Sequence, residues 1–376
     1  MPSDQNENFT ETTSQSWFSR LGGALGGMLF GLALLPIGAA LLFWNEGRAV
    51  QTARSLTEGA GMVSAVPAER ADPANEGRLV HVSGALRIAT PPRDAELNLT
   101  PPGGTLRLVR KVEMFQWQEE TQSETRNRLG GGTETVTTYR YNRAWVEGRV
   151  DSSRFRQPDG HQNPEPRHAS RVFIADGVML GGFRLAQAQF GGVSAEEALP
   201  APSGTGNTLF LGVDAASPRP GDLRITWWAA RPEALSVIAA QVGDGFGPFA
   251  TRAGDRLFML EPGRVPAAAM FRAAEEGNAV LTWILRAVGT LAILVGWMML
   301  LNPMKVLADV IPFLGTVVGF GTGLVAGLLT IVVAPLVIGM AWLFYRPLIG
   351  VAMLALTALG VFGLTRLRRP RKAAVV

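Results

Sequence analysis

The chain of 376 residues contains no cysteine and only three histidines. Without cysteine, disulfides, thiolate metal sites and cysteine nucleophiles are excluded, so a domain outside a membrane must be stable through its own core. A metal site needs three or four converging ligands. His161 and His168 lie close together in a loop, but His81 lies in a predicted strand, and nothing in the sequence forces a set of ligands to converge. We therefore predict no metal, no cofactor and no enzymatic activity.

Lysine is also scarce, with Lys111, Lys305 and Lys372 the only three, and the net charge is +4. The basic tail 366–376 contains five positive charges, and without them the remainder of the chain has a net charge of −1. A remainder without net positive charge makes nucleic acid an unexpected partner. The arginine-rich, lysine-poor composition favours a bacterial source.

Charged residues are absent from four long stretches, one near the start of the chain and three near its end: 21–44, 287–304, 310–345 and 347–365. A bilayer core about 30 Å thick needs roughly 20 apolar residues in a helix. The sequence therefore predicts an α+β membrane protein with a β-rich extracytoplasmic domain. Its four transmembrane helices are predicted at 21–44, 279–304, 313–345 and 347–365.

The distribution of basic residues orients these spans, because short basic flanks stay in the cytoplasm. The tail 366–376 is predicted inside, and so are Lys305 and residues 1–20, whose polar composition predicts disorder. The block 45–278 is then predicted outside. This side is the periplasm of a bacterial inner membrane, or the endoplasmic reticulum lumen in a eukaryote.

Alternation of apolar and polar residues predicts that this outer block is mainly β. The expected strands are 79–88, 106–117, 134–150, 223–228, 235–241 and 256–260. Gly130, Gly131 and Gly132 predict a hairpin turn between the second and third of these. A short helix is expected at 193–198, and another helix is expected to run from Pro266 into the second span.

Glycines recur every four residues in two of the spans. The first span has Gly23, Gly27 and Gly31, and the third has Gly315, Gly319, Gly323 and Gly327. Residues four apart share a helix face, and small residues let helix backbones approach closely in lipid. Each ladder predicts a helix-packing surface. One interpretation packs the first span on the third within the chain, and the alternative is a homo-oligomer.

Two charged motifs lie at the ends of the spans. Trp44, Asn45, Glu46 and Arg48 follow the first span, where tryptophan suits the membrane interface. This motif is expected either to anchor that interface and begin a strand or to dock the third and fourth spans. Glu46 and Arg48 are expected to pair with each other or with groups near Arg286 or Arg346. Lys305 and Asp309 are four apart and are predicted to form a solvated pair.

Other motifs are weak signals of chemistry. Asp151-Ser152-Ser153 suggests a turn before a serine nucleophile, but there is no nucleophile elbow. Glycines 319–323 resemble a phosphate loop in letters only, because they lie in an apolar span without a lysine. Asp159, His161 and His168 are the one cluster that an enzyme at the membrane surface would use.

Several motifs in order resemble the transmembrane protein 43 (LUMA) family over nearly the whole chain. They are FWNEGRAV from Phe43, LVHVSG from Leu79, VEMFQW with Glu113 and Trp117, TTYRY with Tyr139, DSS with Asp151, GHQNP with His161, LADVIP with Asp309, and WLFYRP with Tyr345 and Arg346. The chain is identified as a bacterial member. The resemblance implies four spans, a large domain outside the cytosol and no catalytic residues; animal members are linked to the inner nuclear membrane.

The expected function is a membrane scaffold that organises protein complexes through the extracytoplasmic domain. Its expected partners are the lipid bilayer, unidentified membrane or extracytoplasmic proteins, and a second copy of the chain as an alternative. A channel or transporter is the second hypothesis, although the spans contain almost none of the ionisable residues that mark ion pathways. An enzyme acting at the membrane surface is the third.

Overall fold

The computed structural model describes residues 8–202, 206–348, 350–352 and 355. Two compact units share these residues. The β unit comprises the described parts of Met1–Thr13, Ser55–Thr125 and Thr135–Ala273. The helical unit comprises Ser14–Arg54, Arg126–Glu134 and the described part of Ala274–Val376.

Three helices in the described part of the chain are long and apolar enough to cross a membrane. They are α1 (Trp17–Met62), α3 (Ala267–Ala308) and α4 (Pro312–Tyr345), while α2 (Gln187–Phe190) is a single turn. Large apolar side chains such as Leu29, Phe30 and Ile331 are exposed on these helices. A helix that is apolar on all faces suits a lipid environment.

The three helices contain the first three predicted spans, with different ends. α1 continues to Met62, so the strand expected after Trp44 is wrong, because residues 45–62 prolong the first span as one helix. The helix predicted from Pro266 into the second span is confirmed as α3. The fourth predicted span, 347–365, lies outside the described residues except for 347, 348, 350–352 and 355, and the tail 366–376 lies wholly outside them.

Strands β1 to β16 make up most of the remaining regular structure. In chain order they are Asn8–Gln15, Ser64–Ala65, Leu79–Thr90, Arg107–Asn127, Thr133–Glu147, Arg171–Ile174, Asp176–Leu180, Phe183–Leu185, Glu197–Leu199, Thr208–Leu211, Leu223–Ala230, Ala234–Val242, Gly245–Gly247, Phe249–Ala250, Arg256–Leu257 and Met259–Pro262. The alternation of apolar residues therefore identified the long strands correctly.

Five strands of the β unit close into a small barrel. β12 pairs with β3, β3 with β7, β7 with β8, β8 with β13, and β13 returns to β12. The buried side chains of these strands form one core, in which the rings of Phe183 and Phe246 stack with centroids 5.0 Å apart. β16 pairs with β12 and lies at the end of its sheet.

A second sheet has the strand order β1-β5-β4-β11-β10, with β6 and β9 added beside β4 and β11. Its long hairpin, β4 and β5, turns at Gly130 and Gly131, which both have positive φ, as the sequence predicted. Two expectations were wrong. Residues 8–15 form β1 instead of a disordered segment, because the edge of β5 supplies backbone partners. Residues 197–199 form β9 where a helix was expected, paired with β11.

Candidate functional site

Glu46 is the centre of a polar cluster within the apolar helices. Its carboxylate accepts hydrogen bonds from Arg286 Nε (2.6 Å), Arg286 Nη2 (2.9 Å) and Trp342 Nε1 (2.8 Å), and its side chain is 1% exposed. The Arg286 guanidinium also lies over the ring of Trp283 at 4.7 Å. Three donors and a cation satisfy the buried carboxylate, so this Glu46 cluster joins α1, α3 and α4.

The other polar residues of the same motif also bond to α3. Asn45 donates to the carbonyl of Thr282, and Arg48 donates to the side chains of Asn278 and Thr282 at 3.0 Å each. Trp44 is 57% exposed, which suits an interfacial position. Of the alternatives for Glu46, the structure shows the pairing with Arg286. The motif was expected to dock the third and fourth spans, but Asn45 and Arg48 bond to the second span, and among the described contacts only Glu46 also reaches the third, through Trp342.

Tyr345 and Arg346 mark the end of α4. The Tyr345 ring covers Gly47, where a Cβ atom would lie only 2.6 Å from the ring, and it also packs on Phe43. The backbone N–H of Arg346 donates to the carbonyl of Trp342 and closes the last turn. Packing therefore explains the glycine at position 47, because a larger residue there would displace the Tyr345 ring.

Asp309 is fully buried at the turn between α3 and α4. It forms an ion pair with Arg20 and accepts a hydrogen bond from Asn127 Nδ2 at 3.2 Å. Among the described ion pairs Asp309 bonds to Arg20 and not to Lys305, and it is buried, so the predicted solvated pair of Lys305 and Asp309 is wrong. An arginine from the start of α1 replaces the lysine because the carboxylate is buried among residues distant in sequence.

Asp309, Arg20 and Asn127 form a cluster, the Asp309 cluster, that includes the tip of the β4–β5 hairpin. Arg20 also donates to the carbonyl of Gly131, and the N–H of Gly130 donates to Val310. The tip therefore lies at the same end of the helical unit as the start of α1. The predicted topology assigns the tip to the outer side and residues 1–20 to the inner side, and these contacts disagree with that division. The side on which each end lies stays a prediction.

The two glycine ladders make different contacts. Gly31 faces Gly296 of α3, where a Cβ would lie 2.7 Å from the Gly296 carbonyl oxygen, and Gly27 meets Met299. Gly315 and Gly319 lie against Asp309 and Lys305, at the end of α3. A Cβ on Gly23, Gly323 or Gly327 would meet none of the described residues within 4 Å. The ladders of the first and third spans therefore make no direct contact with each other within the described residues, and the first packs on the second span.

His161 lies in a buried aromatic corner of the β unit. Its ring stacks on Tyr141 with centroids 4.0 Å apart and meets the edge of Trp117 at 4.8 Å. Its Nδ1 is 3.0 Å from the carbonyl oxygen of Gln157. The loop position was predicted, but the side chain is buried and not at the surface. This environment explains His161 as a packing residue.

Asn163 and Ser152 lock the same corner. Asn163 bonds through its side chain to both backbone groups of Trp117, and its own N–H donates to Ser152 Oγ at 2.9 Å. Asp151 caps the short turn by accepting from Ser153 N–H and Oγ, which lowers the Asp151 pKa below its usual value. The DSS and GHQNP motifs thus bind each other. The Ser153 hydroxyl donates to the carboxylate of its own turn, Asp151, and not to a histidine of the kind that activates a serine nucleophile.

The remaining motif residues and histidines also have partners. Glu113 accepts from Arg224 Nε at 2.6 Å, and Tyr139 packs on Phe9. His168 bonds to Glu96, and His81 Nε2 is 2.9 Å from the carbonyl oxygen of Val265. Within the described residues, no group of three or more acidic, histidine or cysteine side chains is arranged for a metal ion.

The β unit also contains a buried ion pair, between Arg110 of β4 and Asp94, that was not predicted from the sequence. Arg110 donates to both carboxylate oxygens of Asp94 at 3.0 and 3.1 Å, and Trp227 Nε1 donates to Asp94 at 2.9 Å. Arg110 also binds Glu96, whose pKa is lowered first by its bond to His168 and then by Arg110. Asp94 and Trp227 are far apart in the sequence, so their contact could not be predicted from local pattern. The one sequence signal for a buried ion pair was Arg110, an arginine inside an apolar strand.

The family model described as Transmembrane protein 43 matches residues 114–347. The human Transmembrane protein 43 is 32% identical over 385 residues, which cover 96% of this chain and 95% of that protein. The mouse protein of the same name is 31% identical over 384 residues, with the same coverage. The Transmembrane protein 43 homolog of Drosophila melanogaster is 30% identical over 342 residues, covering 87% of this chain and 90% of that one. No solved structure matches the chain significantly. The chain belongs to the transmembrane protein 43 family.

Proposed function

We propose that this protein is a multi-pass membrane scaffold that organises protein complexes through its β unit, which lies on the periplasmic side of a bacterial inner membrane. The observation that carries the proposal is an open groove of about 750 Å³ in the β unit. The volume falls in the range of pockets that bind ligands or peptide segments. Glu196, Glu197, Arg231, Phe258, Leu260 and Glu261 are among its lining residues.

The groove is bordered by a sheet edge that can accept another strand. Among the described strands, β16 pairs only with β12, with Leu260 opposite Val237. A strand at the end of a sheet presents backbone N–H and C=O groups to an added strand. An extended partner segment binding here would gain main-chain hydrogen bonds, and alternate side chains would enter the groove.

The charges of the groove favour a basic partner segment. Arg231 is already paired with Glu197 at 2.7 Å. Glu196 and Glu261 are exposed and have no ion pair with any residue that the structure describes. Two uncompensated carboxylates beside an exposed edge select an extended segment with lysine or arginine at alternate positions.

Site-specific photocrosslinking of the full chain in its own membranes tests the proposal. A photoreactive residue at Leu260 should crosslink one reproducible protein, whereas the same residue at Val213, which is exposed elsewhere in the β unit, should not. Glu196→Lys combined with Glu261→Lys should abolish the Leu260 adduct. An adduct that forms equally from both positions, or that survives the charge reversal, would contradict the groove as the docking surface.

A further inference from the structure

A second cavity, of about 350 Å³, lies within the helical unit and has a different character. All three long helices line it: α1 with one glycine, α3 with one continuous face, and α4 with two glycines and a threonine. The lining residues are Gly27, Val295, Met298, Met299, Asn302, Lys305, Gly319, Thr322 and Gly323.

The α3 face of this cavity changes from apolar to polar along the helix. Val295, Met298 and Met299 come first, and Asn302 and Lys305 follow at helical spacing. Ten residues of helix extend about 15 Å. The polar end coincides with the end of the charge-free stretch, where the edge of the bilayer is predicted, and the apolar end lies towards its middle.

Among the residues that the structure describes, Lys305 is the single charged residue that lines the cavity, and it has no carboxylate partner. Asp309, one turn further along, is buried and paired with Arg20. The stem of Lys305 packs against Gly319, whose Cβ position is 3.1 Å from Lys305 Cδ. Its ammonium group, with three donors, and the amide of Asn302 are therefore both available to a ligand.

Glycines keep the cavity open. Within the part of the chain that the structure describes, a Cβ on Gly323 would meet no atom within 4 Å, and one on Gly27 would meet only the end of Met299 at 3.6 Å. Larger side chains at these positions would extend into the space without striking backbone. Gly27, Gly319 and Gly323 thus line a space between helices. The sequence pattern had predicted that these glycines pack closely against another helix.

We propose that this cavity binds one anionic phospholipid, with the phosphate at Lys305 and Asn302 and an acyl chain along Met298 and Val295. The order of polarity matches an amphiphile whose head lies at the bilayer edge. Basic pockets between membrane helices bind anionic head groups. A zwitterionic lipid gains less, because the described residues that line the cavity include no carboxylate for its ammonium group.

Native mass spectrometry of the detergent-solubilised full chain tests this assignment with phosphatidylglycerol and phosphatidylcholine as probes. The unmodified protein should retain one phosphatidylglycerol with about tenfold preference over phosphatidylcholine, as expected for a charge-assisted phosphate contact. Lys305→Gln should remove the preference, and Lys305→Arg should keep it. Lys111→Gln, in the β unit, serves as the charge control and should change nothing.

Two glycines of α4 provide a steric test. Gly323→Leu fills the cavity and should abolish lipid retention, whereas Gly321→Leu, on the same helix but outside the lining, should retain it. If Gly323→Leu does not yield folded protein, the Lys305 variants alone decide. The proposal is overturned if Lys305→Gln keeps the preference, if both leucine variants behave alike, or if millimolar inorganic phosphate displaces the lipid, which would indicate a site for free anions.

Discussion

Gly31 of α1 and Gly296 of α3 face each other with no side chain between them, and a Cβ on Gly31 would lie 2.7 Å from the Gly296 carbonyl oxygen. A second contact of this kind lies seven residues later on α1 and seven residues earlier on α3. There a Cβ on Gly38 would lie 3.1 Å from the Gly289 carbonyl oxygen. Such close approach is how helices associate in lipid, where apolar burial gives little advantage over lipid contact. These four glycines bring the first span against the second.

Replacing Gly31 with leucine should separate α1 from α3. Overpacking of this kind costs about 1–3 kcal/mol, and more is expected here because the obstacle is backbone. Thermal unfolding of the solubilised protein, followed by circular dichroism, should show a lower midpoint. Gly23→Leu is the matched control on the same helix, because a Cβ at Gly23 lies more than 4 Å from every other element that the structure describes. Equal midpoints for the two variants would contradict this helix contact.

Glu46→Gln should destabilise the helical unit by about 3–5 kcal/mol, because it leaves the Arg286 cation without its buried partner. Arg286→Met should have a cost of similar size, for the converse reason. The measurement is the free energy of unfolding of the solubilised protein in a denaturing detergent.

The double variant Glu46→Met with Arg286→Met distinguishes a buried pair from two independent residues. Replacing both charges with apolar groups should cost less than removing either one, since no uncompensated charge remains. Destabilisation by the double variant that equals the sum of the two single costs would show that the ion pair contributes no coupling.

Tyr141 should ionise unusually late. Burial, together with the hydrogen bond from its hydroxyl to Glu119, raises its pKa from the ordinary 10.0 to about 12. Because the folded-state pKa is raised, the stabilisation is complete below about pH 10 and is lost as the pH rises through about 12.

The tyrosinate absorbance of the full chain, minus that of Tyr141→Phe, isolates the Tyr141 titration. The difference should appear near pH 12, and Glu119→Gln should move it to lower pH by removing the carboxylate. A difference signal that titrates at the ordinary tyrosine pKa would contradict the buried aromatic corner.

The absence of cysteine makes the position of the hairpin tip testable with single cysteines. Leu129→Cys, at a tip position that is 88% exposed, should react with a membrane-impermeant maleimide from the same side of the membrane as Ser14→Cys. Gln51→Cys, beyond the Glu46 cluster on α1, serves as the reference for the other end. Labelling of Leu129 and Ser14 from opposite sides would show that the tip contacts with Arg20 and Asp309 do not form in membranes.

Local pattern was sufficient for much of the fold. The charge-free stretches predicted the three long helices, because the length and composition of a span are properties of a continuous segment. Alternation predicted the long strands, because side chains in a strand point to opposite faces in turn. The strand formed by the polar segment 8–15 was not predicted from this alternation, since it depends on pairing with β5, which is distant in sequence.

The candidate sites were predictable in composition but not in their partners. Glu46 was identified as a docking residue, and its pairing with Arg286 was among the alternatives. Asp309 was assigned to Lys305, its helical neighbour, whereas the structure pairs it with Arg20. Spacing along a helix identifies neighbours on one face, but it does not indicate which distant side chain will neutralise a buried charge.

The sequence by itself determined that this is a membrane protein with long apolar helices and a β-rich block, because hydrophobic runs and two-residue alternation are local properties. Only the tertiary structure decided that Gly31 meets Gly296, that Glu46 receives hydrogen bonds from two helices, and that part of the third-span glycine ladder lines a cavity beside Lys305. Those arrangements depend on how apolar helices pack, and many faces are equally apolar. The positions of glycines and of a few buried charges select among them.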